Sequence, residues 1–166
     1  MKPECVILNP PLKMMTKTMN WIWKNYNDLS VAEFYPCLRL RSAVFVVEQN
    51  CVYEDLDDYD AVAHHCWLLQ NQGVAAYLRM IPAAHHASGL PALGRIVVDA
   101  GYRDQGLGRK LVLEGLRYIK SVTTAPSVFI SAQHHLQGFY GSLGFQASSK
   151  PYDEDGILHI DMIQTY

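Results

Sequence analysis

Between Leu93 and Val122 the hydrophobic period changes from that of a strand to that of a helix across a short link containing two glycines. Leu93 to Asp99 is β-rich, centred on Ile96-Val97-Val98. From Gly106 onward Leu107, Leu111, Leu116 and Ile119 recur near 3.6-residue spacing. The link reads Arg103-Asp104-Gln105-Gly106-Leu107-Gly108. A helix start exposes several N–H groups without intrahelical partners and carries fractional positive charge. Glycine removes the Cβ that would keep a phosphate away from them. Arg103, Arg109 and Lys110 add nearby positive charge, suited to a ligand with several phosphates. Beside the strand, an extended ligand arm could run along Ile96, Val97 and Val98 by main-chain hydrogen bonds.

The competing reading is an ordinary tight turn, and two glycines alone would favour it. The link is not a Rossmann fingerprint, because the third glycine would fall at position 111, which is Leu. Nor does it carry the Gly-Lys-Ser/Thr ending of a P-loop. What is more specific is R-x-x-G-x-G directly after a β-branched strand.

The flanking chain predicts a mixed α/β domain. Asn20 to Tyr26 alternates aromatic and polar residues, as a strand does. Ser30 with Glu33 forms a capping box, and Leu29 with Phe34 stands at staple spacing. Pro36 falls within the ensuing helix, so that helix either bends or restarts there and runs on through Leu38, Leu40, Arg41, Val44, Phe45 and Val47. His64 to Gln70 and Val74 to Ile81 read as strands joined through Asn71-Gln72-Gly73, expected as a type I turn with a bulge. Pro82 to Pro91 reads as a loop. Ser127 to Ala132 is strand-like and His135 to Ser142 helical; Leu143-Gly144-Phe145 suits a left-handed cap, and Ile157 to Thr165 a last strand. One domain over 20–166 is expected, preceded by a partly ordered extension over 1–19.

At 166 residues and 49% apolar composition, such a domain buries about two-thirds of its unfolded surface. Fourteen basic and sixteen acidic residues give a net charge of −2, without the basic excess of a nucleic-acid groove. Cys5, Cys37, Cys51 and Cys66 form no C-x-x-C pair, which suits reduced thiols in a cytoplasmic protein. The run Val6-Ile7-Leu8 is too short for a signal peptide or a membrane span.

The segments together are familiar. Val98 to Arg109 resembles motif A of the GNAT N-acetyltransferases, Q/R-x-x-G-x-G/A, and Ser127 to Phe145, with its Phe139-Tyr140 pair, resembles motif B. Leu40 to Gln49, Gly94 to Val98 and the Ala132-Gln133…His135-Leu136-Gln137 segment resemble the ElaA-like branch. The resemblance covers roughly 21–163. It implies a mixed, mostly antiparallel sheet of about six to seven strands, splayed at the cofactor site, with about four helices. It further implies acetyl-CoA held by Ile96, Val97, Val98, Arg103, Asp104, Gln105, Gly106, Leu107, Gly108, Arg109, Lys110, Gln137 and Tyr140. Transfer would be direct, in a ternary complex, to a primary amine of a small molecule or peptide; relatives suggest a homodimer.

Such an acceptor must be neutral to attack. For a lysine-like amine of pKa ~10.4, deprotonation at pH 7 costs about 4.6 kcal/mol, while a thiolate with pKa ~8.5 leaves with far less help. Tyr140 stands where the family commonly places the residue that protonates the departing sulfur. Its alternative is a core aromatic paired with Phe139. Glu48, at the end of the first long helix, is the first candidate base, with Asp57 and His65 in reserve. Against that role, Glu48 could be a solvated carboxylate or a partner of Arg41 or Arg95.

From Glu48 to Asp60 six carboxylates occur without a Lys or Arg, which would attract a cationic acceptor or form a solvated loop. His-His pairs at 64–65, 85–86 and 134–135 invite a metal, but adjacent residues on a strand point to opposite faces, so none is expected. Cys51 as a covalent acyl carrier lacks a base at fixed spacing. Two alternatives belong to other classes: a non-catalytic acyl-CoA-binding module, and an acyl-homoserine-lactone-synthase-like enzyme sharing the Arg41 to Phe45 segment.

Overall fold

The computed structural model describes residues 19–166. Apart from Met19, the N-terminal extension lies outside them. Strand β1 (Trp21–Asn25) leads to α1 (Val31–Arg41), followed by a π-helical continuation over Ser42–Glu48. The antiparallel strands β2 (His64–Gln70), β3 (Gly73–Ile81) and β4 (Ala92–Val98) come next. Then follow α2 (Leu107–Val122), β5 (Ser127–Gln133), the short α3 (Gln137–Gly141), β6 (Gln146–Ala147), β7 (Tyr152–Glu154) and β8 (Ile157–Thr165). The eight strands form one sheet in the order β1-β2-β3-β4-β5-β8-β6, with β7 on β8, and only β4–β5 is parallel.

Local chemistry explains the first helix. The Ser30 hydroxyl accepts from the Glu33 N–H (3.3 Å), and Glu33 accepts from the Ser30 N–H (3.0 Å), completing the capping box. Leu29 and Phe34 pack into the same cluster, as the staple spacing requires. The chain passes straight through Pro36. Its helix neither ends at Tyr35 nor restarts at Pro36. From Ser42 the ladder widens, with Gln49 N–H on Val44 O (3.1 Å) and Cys51 N–H on Val46 O (3.2 Å). The single long helix expected through Val47 is thus two segments of different pitch.

The hairpin β2–β3 also departs from expectation. Gln70 pairs with Gly73, and Asn71 (φ 47°) and Gln72 (φ 67°) both occupy the left-handed region, so this is a two-residue primed turn and not a type I turn with a bulge. The tail holds a second such turn. Asp155 (φ 53°) and Gly156 (φ 81°) join β7 to β8, two strands closing a hairpin where the sequence suggested only the last strand.

Each face of the sheet carries helices. Helix α1 and its π continuation cover Trp67, Val74, Tyr77 and Val97. The opposite face packs Leu107, Leu111, Val112, Leu116 and Ile119 of α2 against Leu78, Met80, Leu93, Val128, Ile130 and Met162. Gly115 lets α2 sit close: a Cβ there would stand 2.9 Å from Leu93 and 3.0 Å from Leu78. Trp23 fastens the edge, stacking on Tyr118 at 3.7 Å and donating its indole N–H to Glu114 at 2.9 Å. This seating fixes where the first turn of α2 meets the end of β4.

Candidate active site

The parallel strands β4 and β5 meet at one pair, Ala92 with Phe129, and then diverge. A bulge in β4 contributes. The register steps from Arg79–Gly94 to Tyr77–Val97, with Arg95 left-handed at φ 51°, so two residues of β4 oppose Leu78 alone. A bulged strand bends and twists more strongly. Into the gap opens a cavity of about 430 Å³, reached by Ile96 from β4, Ala132 and Gln133 from β5, and Tyr140 from α3. Ile96 and Val98 pack toward the α2 side, whereas the Val97 side chain is buried under α1.

At the open end of β4 the chain makes a 3₁₀ turn over Ala100–Tyr102, capped by Asp99, whose carboxylate accepts from the Gly101 N–H at 2.9 Å. Asp104 (φ 61°) and Gly106 (φ 70°) are both left-handed, and Gly106 is the N-cap of α2. A Cβ at Gly106 would meet nothing within 4 Å, so this glycine serves backbone conformation and an open approach. At Gly108 a Cβ would make only ordinary contact with Val98 and Phe139, so packing of the strand, α2 and α3 does not by itself require this second glycine. Asp104, Gln105, Arg109 and Lys110 are exposed, and Gln137 opens α3, half-buried.

Two of the expected ligand-facing cations are turned elsewhere. Arg103 donates through Nε to Val98 O (3.1 Å) and through both Nη atoms to Glu48 (2.8 and 2.9 Å). Arg109 donates to the Ser142 hydroxyl at 3.0 Å.

That clamp bears directly on Glu48. Both its oxygens accept from Arg103, and this bonding holds its carboxyl below the usual carboxylate range. Its partner is neither Arg41 nor Arg95. A carboxylate so held is a poor proton acceptor near neutrality.

Asp57 belongs to a larger assembly. Arg41 of α1 bonds Asp55 (3.1 Å) and Asp60 (2.8 Å); Arg79 of β3 bonds Asp57 and Asp60 (2.8 Å); Arg95 of β4 bonds Asp55 (2.8 Å) and Asp57 (3.2 Å). The acidic run therefore has counter-charges, supplied from three distant elements. Burial pushes the Asp60 carboxyl up, but hydrogen bonds from Arg41 and Arg79 outweigh it and hold the group low. His65 is buried beneath the same network. Its Nε2 donates to Asp60 O (2.9 Å) and its Nδ1 accepts from the Tyr77 hydroxyl (2.7 Å), leaving it no free nitrogen.

Tyr140 is placed differently. It lies edge-on to Phe139 (5.0 Å) and Phe145 (5.9 Å), lines the cavity, and its hydroxyl has no hydrogen-bond partner among the described residues. Burial pushes its pKa up to about 12. The turn after it is closed by Phe145 N–H on Tyr140 O (3.2 Å) with Gly144 at φ 92°, the glycine cap expected at Leu143-Gly144-Phe145.

His86, weighed in the sequence only as half of a metal-binding pair, lines the cavity, as do Glu154 and His159, which the sequence reading did not single out. The Asp155-Gly156 dipeptide was the available signal for the last two, since it announces a two-residue hairpin that brings Glu154 and His159 to one end. Cys51, the candidate acyl carrier, is buried and donates to Asp155 O at 3.4 Å. Among the described residues no cluster of three or more metal-ligating side chains occurs.

A splayed β4–β5 seam with a glycine-opened helix start at its end can be compared with known proteins. The family model described as "Acetyltransferase (GNAT) domain" matches residues 29–165. The chain belongs to the GNAT acetyltransferase family. ElaA of Escherichia coli is 36% identical over 146 residues, 87% of this chain and 95% of that protein. Its crystal structure superposes with a TM-score of 0.80 over 88% of this chain and 99% of that one, at 34% identity. An acyl-CoA N-acyltransferase from Pseudomonas aeruginosa superposes with a TM-score of 0.84 at 38% identity, over 89% and 100% of the two chains. A CoA-dependent acyl-homoserine lactone synthase, BjaI, has a TM-score of 0.71 at 14% identity over 85% and 80%, a likeness of fold alone. Among the described residues of this GNAT chain, no helix is long and apolar enough to cross a membrane.

Proposed function

We propose that this chain transfers an acyl group, ordinarily acetyl, from acyl-CoA to a primary amine by direct attack in a ternary complex. The observation that carries the reading is the gap beyond Ala92–Phe129, with the unpartnered Tyr140 hydroxyl inside it and the Gly106 helix start at its end. The residues fit the co-substrate. Beyond the bulge the β4 edge facing the gap offers main-chain groups of Ile96 to Val98 to an amide-bearing arm. The Leu107, Gly108 and Arg109 N–H groups at the start of α2 would take phosphates without an intervening Cβ at Gly106. When bound, acyl-CoA supplies an activated thioester.

Tyr140 acts on the departing sulfur: burial raises its phenol to about 12, so its unpartnered hydroxyl stays protonated near neutrality and donates a hydrogen bond to the developing thiolate. A hydrogen bond to a charged group is worth about 1.5–3 kcal/mol, or roughly 10- to 100-fold in rate. On the acceptor side, Glu54 and Asp155 line the cavity without ion-pair partners among the described residues, which favours an amine that arrives protonated.

The test pairs CoA calorimetry with thiol release from acetyl-CoA over a panel of amines. Gly106→Glu places a carboxylate at the phosphate approach and is expected to weaken CoA binding at least ~10-fold, about 1.4 kcal/mol. Tyr140→Phe is expected to lower kcat within the range above while CoA affinity stays the same. Unchanged CoA affinity in Gly106→Glu refutes the cofactor site. Tight CoA binding with no turnover on any amine would favour a sensor.

A further inference from the structure

Resting on the transfer reading, we infer that His159 is the general base that deprotonates the amine acceptor, acting through Nε2. Position comes first. In the β5–β8 ladder His159 pairs with Gln133, Asp161 with Ser131 and Ile163 with Phe129, so these side chains share a face. The alternate residues Val128, Ile130, Ala132, Ile160 and Met162 lie in the core beneath α2. His159 and Gln133 therefore project toward the α1 side, where the Gln133 amide donates to Gln49 Oε1 at 3.0 Å just after the π-helical segment. Tyr140 belongs to the α2-side core. The gap thus has Tyr140 on one side and His159 on the other, as an acyl transfer needs for its leaving and entering groups.

The tautomer follows from hydrogen bonding. His159 Nδ1 lies 2.9 Å from Ile157 O. A carbonyl only accepts, so Nδ1 carries the hydrogen and the neutral ring keeps its lone pair on Nε2. Glu154 Oε2, 3.7 Å from the same Nδ1, stabilises the imidazolium that forms. Tyr152 lies alongside the ring, with centroids 6.4 Å apart and planes 29° from parallel. The other cavity histidine has the opposite arrangement. His86 Nδ1 accepts from the Ser88 N–H at 3.3 Å, so its lone pair is already used and its Nε2 carries the hydrogen.

Two other cavity groups are already engaged or keep their protons. Asp57 is held by two arginines, and burial keeps the Tyr53 phenol protonated up to about 12. The charged and titratable groups around His159 are Tyr152 and Glu154 from β7, Asp155 from the turn, and Asp161 on its own strand. Across the cavity stand Cys51, Tyr53, Glu54, Asp57 and Tyr59 from the 49–62 segment, Arg79 and Arg95 from β3 and β4, His86 from the β3–β4 loop and Tyr140 from α3.

The step balances. Nε2 takes one proton from the alkylammonium and releases it to solvent through the mouth of the cavity. The freed amine attacks the thioester carbon; a C–N bond forms, the C–S bond breaks, and the surplus N–H proton ends on the sulfur through water. The sum is alkylammonium plus thioester giving amide, thiol and one proton.

The experiment compares His159→Gln with the unaltered protein, using benzylamine and spermidine as alkylamines and p-anisidine as an arylamine already neutral at pH 7. With an alkylamine, His159→Gln is expected to lose about 100-fold or more in kcat and the acid limb of its pH profile. With p-anisidine the loss should stay within ~3-fold, because no ammonium proton has to be removed. CoA affinity by calorimetry reports that the variant is folded. In the ¹⁵N spectrum of histidine-labelled protein, the signal missing from His159→Gln is expected to show its lone pair on Nε2. Equal losses on both amine types, an unchanged pH profile, or a lone pair on Nδ1 each overturn the assignment while leaving acyl transfer intact. CoA binding without turnover of any amine removes both readings.

Discussion

Replacing Asp60 by Ala tests whether the arginine–aspartate network holds in solution as it does in the fold. Asp60 Oδ1 accepts from Arg41 Nη1 and Arg79 Nη1, each at 2.8 Å. Arg41 is fully buried and Arg79 nearly so. Removing the shared carboxylate leaves Arg41 with Asp55 and the Tyr77 hydroxyl at 3.5 Å, and Arg79 with Asp57 alone. Loss of one partner from a buried pair typically costs about 3–5 kcal/mol, since a buried charge is left under-compensated. With a urea m-value of roughly 2–3 kcal/mol/M, the midpoint should fall by roughly 1–2 M. Asp58→Ala, on the exposed side of the same turn, should stay within about 0.5 kcal/mol. The pH dependence supplies a second reading. Asp60 has a lowered folded pKa, so its contribution is complete above the unfolded value of ~3.9 and is lost as pH falls through the folded value. The stability gap between the native protein and Asp60→Ala should therefore be full at pH 6 and close progressively below pH ~4. A loss under about 1 kcal/mol at pH 6, or a gap independent of pH, would refute the network as drawn.

Glu48→Gln distinguishes a clamp from a base. The Glu48–Arg103 pair is well exposed, so stability should change by less than about 1 kcal/mol. Amine turnover should fall no more than ~3-fold, against the roughly 100-fold or more expected on losing a base. Calorimetry should find tighter CoA binding once Arg103 is released. Gln72→Gly should stabilise the β2–β3 hairpin by about 0.5–1 kcal/mol, because Gln72 holds φ 67° at a steric cost that glycine lacks. Thermal unfolding would register this as a rise of about 1–4 °C.

What the sequence made legible was local. The capping box at Ser30 and Glu33, the strand at Ile96 to Val98 and the glycine cap after Tyr140 each depend on residues a few positions apart. Long-range pairings were not legible. Nothing near Asp55, Asp57 and Asp60 announces that Arg41, Arg79 and Arg95 will meet them, so a neutralised latch reads as an uncompensated acidic loop. The clamp on Glu48 is hidden for the same reason, since Arg103 lies 55 positions away. Pro36 warned of an interruption that a single helix absorbs, while the change of pitch at Ser42 has no comparable breaker. The approach of His159 to the cavity, by contrast, is set locally. Asp155-Gly156 was a hairpin signal in plain view, and reading it would have brought β7 against β8 and the histidine to the cavity.

The single Ala92–Phe129 pair has a mechanical meaning. The sheet consists of two plates, β1 to β4 and β5 to β8, stitched together at one point and otherwise bridged by the helices. A ligand arm lying along β4 would act as a missing thread, closing the ladder on that margin. Binding should then be recorded in the plates themselves: amide exchange along Ile96 to Val98 should slow when CoA is added, while the long β5–β8 seam, already closed over seven pairs, should scarcely respond.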